Sequence, residues 1–244
     1  VTASLATRIV EGAPLPASPR GLLSWLWHWE AVRPQATAWA VYPAGSARSA
    51  STLTWEAWAR AVDAAAAALD AQGIGAGDRV AVFAGNRPLW PVLDLALQQV
   101  GAIGVGVYPS NTAVQVAQLL ADCTPALVLV DSAPRLALVL EALRFGGHRV
   151  EVLADLPAAE LTAVAPSLPV RPLAAWLAGG AAALAADAAL APRLRARAAA
   201  RDPEEVAALI YTSGSTGVPK GAMIAHRCLA ATAASVATAL RLSA

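Results

Sequence analysis

The residues best equipped for chemistry stand together in Tyr211-Thr212-Ser213-Gly214-Ser215-Thr216-Gly217-Val218-Pro219-Lys220-Gly221. Four hydroxyl side chains fall between Thr212 and Thr216, three glycines punctuate the stretch, and Lys220 is its one cation. Such a run offers backbone N–H groups, hydroxyl donors and a mobile charge to an anion with several oxygens. Lys220 is the only lysine among the 18 cationic side chains of the chain; every other one is arginine. Lysine is a compact point charge on a flexible stem, suited to following a phosphate that moves, whereas arginine is a wide planar fork.

Two generic readings of this loop differ in what they require. Counted from Gly214, Lys220 stands where a Walker A loop, G-x-x-x-x-G-K-[ST], has its lysine. Pro219 then replaces the preceding glycine and removes an N–H from the nest, and Gly221 replaces the hydroxyl that would meet magnesium. The second reading is a structural turn rich in Ser, Thr and Gly, which explains neither the density of donors nor the singular lysine.

Positioning such a loop takes rigid elements. The apolar run Val206–Ile210 predicts a strand leading into it, and a helix is expected from His226 to Leu242. Upstream, strand-like runs at Val80–Ala84, Ile103–Tyr108, Leu127–Asp131 and Val150–Leu153 alternate with helix-like segments at Pro88–Val100, Thr112–Cys123 and Ser132–Phe145. Pro88 and Pro134 suit first helical turns, and Asn111 and Ser132 suit caps. This alternation predicts an α/β fold with a mostly parallel sheet and flanking helices. Before it, Leu22, Leu26 and Trp29 fit a short helix, Ala38–Tyr42 a strand and Pro43-Ala44-Gly45-Ser46 a turn. Thr54 is expected to cap a helix with the stripe Trp55, Trp58, Ala59, Val62, Ala66 and Leu69, closed near Gly73. The domain boundaries expected are an extended lead-in over 1–20, an α/β subdomain over 21–154, a peripheral Ala- and Arg-rich helical connector over 155–205, and the start of a second α/β subdomain over 206–244.

Composition narrows the classes. A net charge of +1 gives no electrostatic case for nucleic acid. Cys123 and Cys228 are far apart, which fits a reducing compartment, and a cytoplasmic location is expected. His28, His148 and His226 have no metal-ligand spacing with the cysteines. The longest uncharged run, Leu95–Ala121, is broken by Gln98, Gln99, Pro109, Ser110 and Asn111, so no membrane span is expected. The arginines Arg193, Arg195, Arg197 and Arg201 read as a solvated helix face, with phosphate binding or peripheral membrane contact as alternatives.

The string YTSGSTGVPKG resembles the phosphate-binding signature of the adenylate-forming (AMP-binding) superfamily, which includes acyl-CoA synthetases, luciferases and peptide-synthetase adenylation domains. Thr54-Trp55-Glu56, Gly77-Asp78-Arg79-Val80 and Asn86-Arg87-Pro88-Leu89-Trp90 are similar to the opening of the same superfamily. The run Gly101–Pro109 with Gln115-Val116 and Leu119-Leu120-Ala121-Asp122 looks most like the long-chain fatty acid–CoA ligase branch. Ala225 and Cys228 depart from it, standing where a hydroxyl residue and an asparagine are common. The resemblance implies that a carboxylate attacks the α-phosphorus of ATP, and that coenzyme A then takes the acyl group. It implies phosphate contacts from Thr212, Ser213, Ser215 and Thr216, close backbone approach at Gly214 and Gly217, and charge balance by Lys220. Tyr211 is expected to anchor the loop, and His226 to serve structure rather than substrate. The partners implied are a fatty acid, ATP with magnesium, coenzyme A and the remainder of the enzyme's own polypeptide. The family's Tyr-Gly-x-Thr-Glu and Thr-Gly-Asp motifs and its mobile-domain lysine are not in the sequence. The expectation is therefore an incomplete N-terminal part of the large domain, without the C-terminal lid, holding no complete catalytic set and inactive alone.

Overall fold

A computed structural model describes residues 21–42, 51–164, 170–212 and 220–240. The lead-in over 1–20, the turn over 43–46, the loop residues 213–219 and the expected helix end at 241–242 lie outside the described residues.

The chain opens with helix α1 (Leu22–Val32), followed by β1 (Thr37–Val41) and β2 (Ser51–Thr54), which pair antiparallel in a small separate sheet. Thr54 ends β2 and caps α2 (Trp55–Ala71), accepting from the Ala57 N–H at 3.2 Å. The main sheet then begins with β3 (Arg79–Phe83), α3 (Leu89–Val100), β4 (Ile103–Gly106), α4 (Ala113–Cys123), β5 (Leu127–Val130), α5 (Ala133–Gly146) and β6 (Glu151–Ala154). It continues through α6 (Ala158–Val164), β7 (Val170–Pro172), α7 (Leu173–Ala186), α8 (Leu190–Ala199), β8 (Val206–Thr212), β9 (Lys220–Ala225) and α9 (His226–Ala239).

The seven strands lie in the order β7-β6-β5-β3-β4-β8-β9, all parallel except β9, which runs antiparallel to β8. β3, β5 and β6 are almost wholly buried, which is why they read as continuous apolar runs without alternation. Two cores fill the two faces. On one, α1, α2, α3, α7 and α8 contribute Leu26, Val62, Leu69, Leu93, Leu97, Trp176 and Leu194. On the other, α4, α5 and α6 contribute Val116, Leu119, Leu120, Leu136, Val139 and Leu161.

Several expectations need correction. The cap of α4 is Thr112, not Asn111. Thr112 Oγ1 accepts from the Gln115 N–H while Gln115 Oε1 accepts from the Thr112 N–H at 2.9 Å, a reciprocal pair that Asn111 is one residue too early to make. Ser132 holds the cap position of α5 but makes no side-chain cap bond. The segment 155–205 is not all helix, because β7 adds an edge strand to the sheet. Nor is it peripheral. α7 lies directly on α2, where a Cβ on Gly180 would fall 2.0 Å from the Ala64 carbonyl oxygen. β8, which opens the segment over 206–244 expected to begin a second subdomain, pairs in parallel with β4 of the same sheet.

The arginines of α8 hold this layer. Arg195 reaches Glu30 of α1 at 2.6 Å and Asp63 of α2 at 2.5 Å, and Arg197 reaches Asp70 at 2.5 Å. Arg193 pairs with Asp187 at 2.7 Å. Arg201, just past α8, bonds Glu205 and donates to the Val100 carbonyl at 2.5 Å. Its guanidinium crosses the space a Cβ on Gly101 would occupy, and Gly101 has φ +83, so glycine is required there twice over.

Candidate active site

β8 and β9 form a hairpin whose register pairs Tyr211 with Gly221 and Thr212 with Lys220. The ladder therefore closes at Lys220, and residues 213–219 connect its two ends. Thr212 and Lys220 are both exposed at this neck. Of the site residues expected from sequence, the structure brings these two together; Ser213, Gly214, Ser215, Thr216 and Gly217 lie outside the described residues.

Tyr211 fixes the neck to the rest of the fold. It is 4% exposed, and its hydroxyl donates to Asp122 Oδ2 at the end of α4 over 2.5 Å. Burial, then the bond to Asp122, pushes the phenol well above its ordinary range, so it stays a donor. Gly221 lies beneath the ring. A Cβ there would come within 3.1 Å of Tyr211 Cζ, so a side chain would force the clamp open. Asp122 was not legible as the partner, because it is remote in sequence and only the crossover from β4 to β5 returns α4 to β8.

His226 starts α9 just past the opposite end of β9 from Lys220, roughly 20 Å along the strand direction. It is buried, its N–H donates to the Glu205 carbonyl, and burial lowers its imidazole pKa. The backbone bond ties the start of α9 to Glu205 at the amino end of the parallel strands.

The sheet supplies two clefts at the carboxyl ends of its strands. β4 lies on one side of β3 and β5 on the other, while α3 and α4 cover opposite faces. Open α/β sheets bind ligands in the crevice such a reversal creates. A cleft of about 390 Å³, with polar and apolar lining, is bounded by Ser110, Asn111 and Gln115 of the β4–α4 region and by Tyr211 and Thr212. A larger, mainly apolar crevice of about 480 Å³ runs between α3, α9 and the strands β3, β4 and β8.

Asp131 secures the mouth of this crevice. Its carboxylate accepts from the Gly85 N–H at 2.7 Å and pairs with Arg135. Burial pushes its pKa up, but the Gly85 and Arg135 bonds outweigh that and hold it below the usual carboxylate range. Among the described residues no three His, Cys, Asp or Glu side chains converge as a metal would need. The described residues offer no ligand set made of protein side chains alone, and no step below is routed through magnesium.

The sequence profile of the AMP-binding enzyme family matches residues 26–243, nearly the whole chain and all the elements that hold the hairpin. The chain belongs to the AMP-binding enzyme family. It is 34% identical over 167 residues to a long-chain-fatty-acid–CoA ligase, FadD15, of Mycobacterium bovis, covering 68% of this chain and 25% of that protein. It is 31% identical over 189 residues to an L-proline–[L-prolyl-carrier protein] ligase of Streptomyces coelicolor, covering 73% of this chain and 31% of that one. The fold matches the solved structure of a fatty acyl-adenylate ligase from L. pneumophila with a TM-score of 0.62 at 20% identity, over 94% of this chain and 35% of that one. The chain thus spans between a quarter and a third of the length of the curated relatives just named. Membership of this family goes with the observed mixed α/β fold and mostly parallel sheet.

Proposed function

We propose that this chain carries the phosphate-gripping half of a site that activates a carboxylic acid with ATP, and that the acid is a medium- or long-chain fatty acid later passed to coenzyme A. The observation that carries this reading is the β8–β9 hairpin, which closes at Thr212 and Lys220 and so holds a cation at the neck of a loop dense in hydroxyls. The physical burden of adenylation is negative charge on the departing pyrophosphate. Donors and a cation fixed in advance meet that charge without reorganising. Thr212, Ser213, Ser215 and Thr216 supply the donors, Gly214 and Gly217 let the backbone close on the phosphates, and Lys220 balances their charge. Tyr211, clamped between Asp122 and Gly221, keeps the neck in register. The likeness to a fatty acid–CoA ligase at 34% identity supports the fatty acid, and the 31% identity to a prolyl ligase supports an amino acid as the second reading.

Titration calorimetry of the chain with pyrophosphate tests the central claim. Lys220→Ala should weaken binding at least tenfold, on the order of 1.4 kcal/mol, with the far-ultraviolet circular dichroism unchanged. Equal affinity of the two proteins would overturn the assignment.

A further inference from the structure

A separate cavity of about 320 Å³ lies at the amino ends of the parallel strands, away from the hairpin neck. It forms where α1, α3, α8 and the turn before β8 meet the start of α9, and Leu22, Leu23, Trp27 and Pro203 give it apolar walls. The polar groups around it are short of partners. His226 lines the cavity and is 7% exposed. A Cβ on Gly21, which lines it too, would stand 4.0 Å from His226 Nδ1. Among the described residues the imidazole makes no hydrogen bond, while the backbone N–H of the same residue is taken by Glu205. Gln98 also lines the cavity and is 1% exposed. Its Nε2 donates to Asp94 Oδ2 at 2.8 Å, and among the described residues nothing donates to its Oε1.

Two further groups in the same walls are unmatched. Trp27 Nε1 and Arg201 Nε are enclosed without an acceptor, although the outer guanidinium nitrogens of Arg201 reach Glu205 and the Val100 carbonyl. Both atoms are sealed off as the walls stand, so they mark a local shortage of acceptors and not a contact surface. Buried polar groups are nearly always paired, and several unmatched ones around one cavity point to a ligand that completes them.

The chemistry of these groups defines that ligand. Burial lowers the His226 pKa, so at pH 7 the ring is neutral and offers one N–H and one lone pair. Arg201 is paired with Glu205, and the exposed Asp202 stands at the rim, so the cavity holds no unbalanced positive charge to draw an anion. A matching molecule is therefore neutral. It brings an acceptor to the imidazole N–H and a donor to Gln98 Oε1, and it lays an apolar body against the indole of Trp27. A primary amide carries that acceptor and that donor on one carbon.

We propose that this cavity binds a small neutral aromatic carboxamide, whose carbonyl oxygen accepts from His226 and whose N–H donates to Gln98 Oε1. The site stands roughly 20 Å along β9 from Lys220 and does not depend on the adenylation reading.

Benzamide is the probe, with acetophenone and benzoate as controls of matching shape. Acetophenone keeps the carbonyl and lacks the donor, and benzoate is charged. In calorimetric titration the full chain should bind benzamide at least about fivefold more tightly than either control. The indole N–H resonance of Trp27, assigned by its loss in Trp27→Phe, should shift as benzamide is added. Gln98→Met should erase the preference over acetophenone, and His226→Phe should weaken benzamide and acetophenone alike. Ala199→Trp, built on an exposed residue of the lining, fills the cavity without touching the buried pair and should abolish benzamide binding. Equal binding of the three probes, no binding of any, or benzamide affinity unchanged in His226→Phe or Ala199→Trp would overturn the proposal. Lys220→Ala should leave benzamide affinity within about twofold. A larger loss would put the amide at the hairpin neck and overturn the proposal as well, whereas a failed pyrophosphate titration beside intact benzamide binding removes the adenylation reading alone.

Discussion

Asp94, midway along α3, has consequences for stability: its Oδ2 accepts from Gln98 Nε2 at 2.8 Å, and among the described residues no cation pairs with it. An acid whose pKa is pushed up to about 6 in the folded state from an ordinary 3.8 binds its proton more readily when folded. Folding is therefore unpenalised below about pH 4, where both states are protonated, and loses stability as pH rises through the window from 3.8 to 6. Above it the full cost of the buried charge is present, roughly 2 kcal/mol once the partial exposure of the residue is allowed for. Asp94→Asn should thus raise the urea midpoint at pH 7.5 and leave it nearly unchanged at pH 4. A stabilisation of equal size at both values would assign the effect to packing instead. Nothing in the sequence marked this residue. Leu89–Val100 reads as an ordinary amphipathic helix, and the one local signal is the alternating glycine of Gly104-Val105-Gly106, which empties the space opposite. Lys220 was legible because its type is singular, and Tyr211 because an aromatic at a strand end commonly anchors. Asp122, the other half of that anchor, was not, since only the tertiary fold brings it to β8.

At the scale of elements, the parallel sheet was legible where strands are buried on both faces and separated by capped helices, from β3 to β6. It was not legible where an element owes its existence to its neighbours. β7 is three residues ending in Pro172, held as a strand by its pairing with β6. β9 contains Gly221 and two alanines, weak strand formers that pair because β8 stands beside them. In the segment expected to be a peripheral connector, Gly180 lies on the inner face of α7 and Gly179 on its exposed side. The two glycines test this directly. Gly180→Ala would drive a methyl into the Ala64 carbonyl of α2 and should destabilise the chain by roughly 1–3 kcal/mol. Gly179→Ala meets nothing within 4 Å and should stabilise it by about 0.5–1 kcal/mol through helix propensity. Urea unfolding of the two variants checks the contrast, and equal effects would mean that α7 is not seated on α2 at Gly180.

At the scale of the molecule, the strand order could not be read from periodicity, because burial on both faces says nothing about which neighbour a strand takes. Among the described residues that order leaves β9 at an edge of the sheet with one side open. Around this edge large apolar side chains face solvent: Ile210 at 43% exposure, Met223 at 73%, Val236 at 48% and Leu240 at 64%. Met223 lies on the opposite face of β9 from the crevice, so both faces of the edge are apolar. A strand edge with unpaired backbone groups and apolar flanks is a template for another chain. The purified chain should accordingly self-associate as its concentration rises and bind an apolar dye such as anilinonaphthalene sulfonate. Met223→Lys places a charge on that edge and should lower both the apparent mass in light scattering and the dye signal, while leaving pyrophosphate affinity within about twofold, since the added charge is solvent-exposed and screened. A wild-type chain that stays monomeric and dye-free across the same concentrations would mean that β9 is protected as it stands.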